Sequence, residues 1–121
     1  MAKILIVDDS ITSRKILKNI LVENGHEVIG EAINGKDAVS KFKELQPDII
    51  TMDITMPVMD GLEALKRIME VDKNAKVVMV TAAGQKTKMV DAVKHGAVEF
   101  LTKPFEAEQI IEIIDKVANQ E

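Results

Sequence analysis

Short apolar runs alternate with longer amphipathic segments along the whole 121-residue chain, and this alternation constrains the fold more than any other feature. The short runs have the length of strands, and the longer segments carry apolar residues at helical spacing. The predicted strands are residues 3–7, 27–31, 48–52, 76–80 and 98–101. The first, third and fourth are apolar on both faces, which is typical of parallel strands covered by helices on both sides. We therefore expect these three strands to form the centre of the sheet.

Each predicted helix has a narrow apolar stripe. The stripes are Ile16, Leu17, Ile20 and Leu21 in the first helix, Ala38, Val39, Phe42 and Leu45 in the second, Leu62, Leu65, Ile68 and Met69 in the third, Met89, Val90 and Val93 in the fourth, and Ala107, Ile110, Ile111, Ile114, Val117 and Ala118 in the last. Asp60 and Glu63 have the spacing of a capping box at the start of the third helix. The fourth helix, around residues 86–95, has the weakest stripe, and Gly96 is expected to end it.

Strands that alternate with helices predict an α/β fold. With right-handed crossovers, the common arrangement is a flavodoxin-like, doubly wound (βα)5 parallel sheet with strand order 2-1-3-4-5. The chain is long enough for one hydrophobic core, and no Ser-rich or Pro-rich linker divides it. We therefore expect residues 1–121 to form a single domain without an output domain.

The composition excludes several classes of protein. No apolar stretch approaches the roughly 20 residues that a membrane span requires. The absence of cysteine removes disulfides, thiolate metal sites and cysteine nucleophiles. The net charge is −4 and no arginine-rich segment is present, which argues against nucleic acid as a ligand. These features favour a cytoplasmic protein that binds neither membranes nor nucleic acids.

Polar side chains that can bind a ligand or take part in a reaction follow four of the predicted strands. Asp8 and Asp9 follow the first strand, Asp53 the third, Thr81 the fourth and Lys103 the fifth. Doubly wound sheets bind their ligands at the carboxyl ends of the strands, so these side chains are expected to converge there. Three carboxylates and one ammonium leave two uncompensated negative charges, which are costly in a partly buried crevice. Oxygen donors without His or Cys favour Mg²⁺ or Mn²⁺.

A hard cation beside a lysine and a hydroxyl is suited to neutralising a transferring phosphoryl group. Asp53 is then the candidate nucleophile, with Lys103 and Thr81 as the candidate catalytic groups beside it. Attack by a carboxylate on phosphorus yields an acyl phosphate, which requires no cysteine, serine or histidine nucleophile.

Four segments occur in order at a spacing that resembles a known family. They are Leu5-Ile-Val-Asp8-Asp9-Ser10, Asp53-Ile-Thr-Met-Pro57-Val-Met-Asp60-Gly61, Thr81-Ala82 and Lys103-Pro104-Phe105. Together they resemble the response-regulator receiver domain of two-component signalling, and the resemblance covers the whole chain. The stretches at residues 51–57 and 83–85 are most similar to the chemotaxis regulators of the CheY type.

The resemblance implies a role for each residue of the predicted site. Asp53 would accept a phosphoryl group from a phosphohistidine on a sensor histidine kinase. Asp9, Asp53 and the backbone carbonyl of Thr55 would hold Mg²⁺, and Asp8 would act largely through water. Lys103 would pair with the phosphoryl oxygens.

The resemblance also implies a switch. Thr81 would move to hydrogen-bond the phosphoryl group, and Phe100 would turn into the space that Thr81 leaves. The face built from the fourth helix, fifth strand and fifth helix would then report the chemistry at Asp53. Chemotaxis regulators often have tyrosine at the position of Phe100, so the readout here would be purely steric. The peptide bond between Lys103 and Pro104 would be cis.

The function expected from these features is that of a stand-alone chemotaxis response regulator. It would not be a turnover enzyme, since it would catalyse only its own phosphorylation and dephosphorylation. Its output would be a flagellar motor switch protein or another protein target, and a phosphatase would be a further partner. The alternative is a phosphorelay intermediate that passes the group to a histidine phosphotransferase through the same site.

Three functions of other classes are less well supported by the sequence. A metal-dependent phosphatase would need a second acid where Thr55 stands. A flavin carrier of the same fold would have to place a phosphate beside Asp8 and Asp9, which would repel it. An adaptor that is never phosphorylated would not need the complete set of acceptor, metal ligands and lysine.

Overall fold

The computed structural model describes residues 1–120, and Glu121, the last residue of the predicted domain, lies outside them. The strands are β1 (Lys3–Val7), β2 (Glu27–Ala32), β3 (Ile49–Asp53), β4 (Val77–Thr81) and β5 (Glu99–Thr102). The helices are α1 (Ile11–Glu23), α2 (Gly35–Leu45), α3 (Gly61–Val71), α4 (Lys86–Lys94) and α5 (Ala107–Ala118). The strands form one parallel sheet in the order β2-β1-β3-β4-β5. The predicted flavodoxin-like (βα)5 fold is confirmed.

The strand predictions are accurate to one residue. β1, β3 and β4 lie at the centre of the sheet as predicted, and every residue of β3 and β4 is buried. β3 and β4 each end one residue later than predicted, so Asp53 and Thr81 are the last residues of their strands and are not loop residues. A strand that is apolar on both faces is easily predicted because both faces must leave water.

The sheet separates two apolar clusters. On one face, α2, α3 and α4 pack against side chains of β1, β3 and β4, among them Leu5, Ile50 and Met79. On the other face, α1 and α5 pack against alternate residues of the same strands, among them Ile6 and Val78. Among the helices of residues 1–120, none has both the length and the hydrophobicity to span a bilayer.

Parts of the predicted helical stripes are wrong. Val90 and Val93 of α4 are 51% and 57% exposed, and α4 instead contacts the core through Ala92 and Met89. Val90 and Val93 are three residues apart, and so are Met89 and Ala92. In a helix of nine residues, this spacing alone does not determine which pair faces inward. Small Ala92 allows α4 to approach the sheet closely. The predicted stripes also included Ile16 and Ala107, which are exposed.

His26 joins the first and last parts of the chain. It lies between α1 and β2, and its side chain is buried. Nδ1 accepts a hydrogen bond from the backbone N–H of Ala2 at 3.1 Å, so Nε2 carries the proton that is donated to Asp115 Oδ1 at 2.8 Å. The hydrogen bond from His26 holds the pKa of Asp115 below its usual range. His26 therefore fastens α5 to the start of β1.

Candidate functional site

Three carboxylates and one ammonium meet at the carboxyl ends of β1, β3 and β5. Asp8, Asp9 and Asp53 each offer a carboxylate oxygen, and these oxygens lie within 4.8 Å of one another. Lys103 Nζ is 2.9 Å from Asp8 Oδ2 and 3.2 Å from Asp53 Oδ2. Asp8 and Asp53 are only 4% and 8% exposed, whereas Asp9 is exposed at the rim. The site is therefore a largely buried acidic cluster with one cation.

Burial and neighbouring charges shift the pKa values of Asp53 and Lys103. Burial raises the pKa of Asp53 above its ordinary value, and the charges of Asp8 and Asp9 act in the same direction, although Lys103 opposes them. Burial alone would lower the pKa of Lys103. However, the hydrogen bonds and charges of Asp8 and Asp53 outweigh that effect, and the pKa of Lys103 is raised. Lys103 is therefore a cation at neutral pH, and the ionised form of Asp53 is energetically costly.

The loop between β1 and α1 positions Asp8. Its Oδ1 accepts a hydrogen bond from the backbone N–H of Ser10 at 2.9 Å, and the Ser10 hydroxyl caps α1. Arg14 donates from Nη1 to the Asp8 carbonyl at 2.8 Å and from Nε to Glu31 at 2.9 Å. Arg14 gives no sequence signal of this role, because its two partners are close only after β1 and β2 have paired. Arg14 braces the loop that holds the acidic pair.

The loop between β3 and α3 folds back on the end of β3. The N–H of Gly61 donates to the Ile54 carbonyl at 2.7 Å, and Asp60 caps α3 by accepting from the N–H of Glu63 at 2.9 Å. The predicted cap at Asp60 is confirmed. A Cβ atom at Gly61 would lie 2.1 Å from the carbonyl oxygen of Asp53. The close approach of α3 to Asp53 therefore requires glycine at this position.

Thr81 lies at the same rim, because it follows Val80, which pairs with Asp53 in the sheet. Its side chain is buried, and its hydroxyl donates to Gln85 Oε1 at 3.1 Å or to the Ala82 carbonyl at 3.2 Å. Gln85 was not among the predicted site residues, since a glutamine in a loop gives no sequence signal of its contacts.

Two predictions concern β5 and the loop after it. Phe100 is half-buried and packs against the cluster under α2, α3 and α4. The Lys103–Pro104 peptide bond is cis, as predicted. The structure thus brings Asp8, Asp9, Asp53 and Lys103 close together, whereas the functional roles assigned to them stay predictions.

The donor set fits a hard divalent cation. It offers carboxylate oxygens and no nitrogen or sulfur, and its three negative charges exceed the single positive charge of Lys103. The predicted fourth donor, the carbonyl of Thr55, accepts no hydrogen bond from another backbone group within residues 1–120. Its role as a ligand stays a prediction.

Comparisons with known proteins give the family. The model of the response regulator receiver domain matches residues 4–115, so the chain belongs to this family of signalling proteins. Within the family the chain is CheY-like. It is 49% identical to the chemotaxis protein CheY of Thermotoga maritima over 96% of this chain and 97% of that protein. It is 50% identical to CheY of Bacillus subtilis, over 97% and 98% of the two chains.

A solved structure is also similar to the chain. The crystal structure of the CheX-CheY-BeF3-Mg complex from Borrelia burgdorferi has a TM-score of 0.92 and 39% identity. The similarity covers 98% of this chain and 90% of that one. The fold and the chemotaxis relatives therefore agree on a CheY-like receiver domain.

The acidic cluster leads to a prediction about stability. With divalent cations chelated, we expect Asp53→Asn to raise the free energy of unfolding by about 1 kcal/mol at neutral pH, because it removes a buried negative charge beside two others. The pKa of Asp53 is raised by folding, so the cost of ionising it is present above that pKa. The cost disappears as the pH falls toward the ordinary value of about 3.8.

Denaturant unfolding of both proteins over a range of pH measures this effect. The difference between them should shrink toward acid, and Mg²⁺ should stabilise the wild type more than the variant. A variant less stable than the wild type under chelation would contradict the interpretation.

Proposed function

We propose that this chain is a stand-alone chemotaxis response regulator that accepts a phosphoryl group on Asp53. The observation that carries the proposal is the Asp53 carboxylate, which lies at the end of β3 with Lys103 Nζ 3.2 Å away and with Asp8 and Asp9 beside it. Support for chemotaxis comes from the CheY relatives, which match nearly the whole chain and favour this role over that of a phosphorelay intermediate.

The proposed reaction uses a phosphohistidine of a sensor histidine kinase as donor. An oxygen of ionised Asp53 attacks phosphorus, and a P–O bond forms. The P–N bond breaks, and the electron pair of that bond returns to the imidazole. Lys103 pairs with the phosphoryl oxygens as charge moves onto them. Asp9, Asp53 and the Thr55 carbonyl would hold Mg²⁺, with Asp8 acting largely through water. The cation would supply neutralisation of charge on the carboxylates and the phosphoryl group. Hydrolysis of the acyl phosphate restores Asp53.

The proposed output is a change of packing. The Thr81 hydroxyl donates to a phosphoryl oxygen, and Phe100 turns inward to fill the vacated space. The face of α4, β5 and α5 changes shape and binds a flagellar motor switch protein or another protein target. The exposed Val90 and Val93 on α4 support this face as a docking surface, since they are apolar and unburied.

One further partner belongs to the proposal. A phosphatase would shorten the lifetime of the signal. The solved complex of a similar CheY with CheX, BeF3 and Mg supports binding of a second protein to a CheY in the presence of a phosphoryl mimic. The cytoplasmic location stays a prediction.

Intact mass measurement tests the acceptor chemistry. Wild-type protein is incubated with Mg²⁺ and acetyl phosphate, with and without a chelator. We expect one acid-stable, base-labile phosphoryl group per chain with Mg²⁺ and none with the chelator, because the acidic cluster should need its cation. Absence of the adduct, together with failure to bind beryllofluoride in the presence of Mg²⁺, would favour an adaptor that is never phosphorylated.

A further inference from the structure

The side chain of Gln85 connects three groups at the rim of the site, one at the end of β4 and two on the loops after β4 and β3. Its Oε1 accepts from the backbone N–H of Ala82 at 2.6 Å and from the Thr81 hydroxyl at 3.1 Å. Its Nε2 donates to Thr55 Oγ1 at 2.8 Å. Gln85 lies just before α4, and its side chain does not cap that helix. It therefore links the loop after β4 to the loop after β3.

These contacts define the orientation of the amide. A backbone N–H can only donate, so the atom facing Ala82 is the oxygen, and the atom facing Thr55 is the nitrogen. Since an amide oxygen can only accept, Thr81 is the donor in its hydrogen bond with Gln85. All three contacts are thus satisfied by one orientation of the side chain.

The Thr81 hydroxyl has one proton. It can donate this proton to Gln85 before phosphorylation, or to a phosphoryl oxygen after it. In this structure two acceptors lie within its reach, Gln85 Oε1 at 3.1 Å and the Ala82 carbonyl at 3.2 Å. Phosphoryl oxygens have no proton to offer at neutral pH, so a hydroxyl that binds them must donate. Thr81 cannot direct its proton to Gln85 and to a phosphoryl oxygen together.

We propose that Gln85 is a positioning residue that holds Thr81 in its unphosphorylated orientation and sets the free energy that the phosphoryl group must supply to move it. The proposal rests on the proposed function, because it assigns a regulatory role to a neighbour of the same site. The bond to Thr55 keeps the Gln85 amide in place across the gap between the two loops. Without Gln85, Thr81 is released before phosphorylation, and the active arrangement forms more readily.

Binding of beryllofluoride in the presence of Mg²⁺ measures this effect, and calorimetry suits a chain without Trp or Tyr. Gln85→Ala should bind this phosphoryl mimic about fivefold more tightly than wild type, which corresponds to about 1 kcal/mol for one neutral hydrogen bond. Lys86→Ala is the matched control, because Lys86 is the next residue and is exposed. The control should bind as wild type does.

A double-mutant cycle separates positioning from a general loosening of the loop. In the Thr81→Ala background there is no hydroxyl to hold, so adding Gln85→Ala should change the affinity by less than about twofold. An equal gain in affinity with and without the Thr81 hydroxyl would overturn the proposal, and so would the absence of any gain in the single variant.

Coupling constants of the Thr81 side chain, measured by NMR on the free protein, give a readout that needs no phosphoryl group. We expect one Thr81 rotamer in wild type and averaging between rotamers in Gln85→Ala. Failure of wild type to bind beryllofluoride would count against the proposed function, whereas an unchanged Thr81 rotamer in Gln85→Ala would overturn the role of Gln85 alone.

Discussion

Asp53→Asn is expected to lower phosphoryl incorporation from acetyl phosphate by more than about 100-fold. The amide is a poor nucleophile, and it cannot form the acyl phosphate that a carboxylate forms. The fold should persist, because the change is nearly isosteric and Lys103 keeps its contact with Asp8 at 2.9 Å. Incorporation is followed by intact mass in the presence of Mg²⁺.

Asp60→Asn is the matched control for that experiment. Asp60 lies in the loop after Asp53, is exposed, and acts as the N-cap of α3, a role that asparagine performs equally well. It should therefore be phosphorylated like the wild type. Persistent phosphoryl adduct on Asp53→Asn would contradict the assignment of the acceptor, and loss of the adduct in both variants would point to a general disturbance of the loop.

Gly61→Ala is expected to lower the free energy of unfolding by at least about 3 kcal/mol. The new Cβ would lie 2.1 Å from the carbonyl oxygen of Asp53 and 3.0 Å from Cα of Ile54. Both are backbone atoms, so no side-chain rotation can relieve the overlap. Either the end of β3, which carries Asp53, or the start of α3 must therefore move. We also expect weaker binding of Mg²⁺.

Gly25→Ala separates this clash from the usual cost of replacing glycine. Gly25 has φ +89°, and a Cβ there would meet nothing within 4 Å, so the substitution should cost only about 1 kcal/mol for the left-handed backbone. Denaturant unfolding of both variants gives the comparison. Equal destabilisation by the two substitutions would show that the contact between Gly61 and Asp53 is not tight.

The sheet could be predicted from the sequence because its central strands are buried on both faces. The apolar runs that contain Ile4 and Val78 have no other stable location in a chain of this length. The orientation of α4 could not be predicted in the same way. There the valines appear better suited to the core than Ala92, yet the small side chain is the buried one. Packing distance, which the sequence pattern does not contain, decides between them.

The acidic cluster could also be anticipated, because the carboxyl ends of parallel strands lie at the same edge of the sheet. Asp53 and Lys103 are separated by 50 residues and still form an ion pair there. The contacts of Gln85, Arg14 and His26 could not be anticipated. Each depends on the length and angle of a side chain that reaches another element, such as the bond between His26 and Asp115. Polar residues of this kind occur in many surface loops that make no such contact.

The attachment of α5 through His26 also affects how the chain can be extended. The start of β1 and the last turn of α5 lie together, because Ala2 and Asp115 share His26, and Lys76 just before β4 donates to the Val117 carbonyl at 3.1 Å. Both ends of the described chain therefore lie at the amino edge of the sheet, opposite the edge that carries Asp53. A purification tag or a second domain joined at either end would leave the acidic cluster accessible. Such a layout suits reuse of the same unit as a module in fusion proteins.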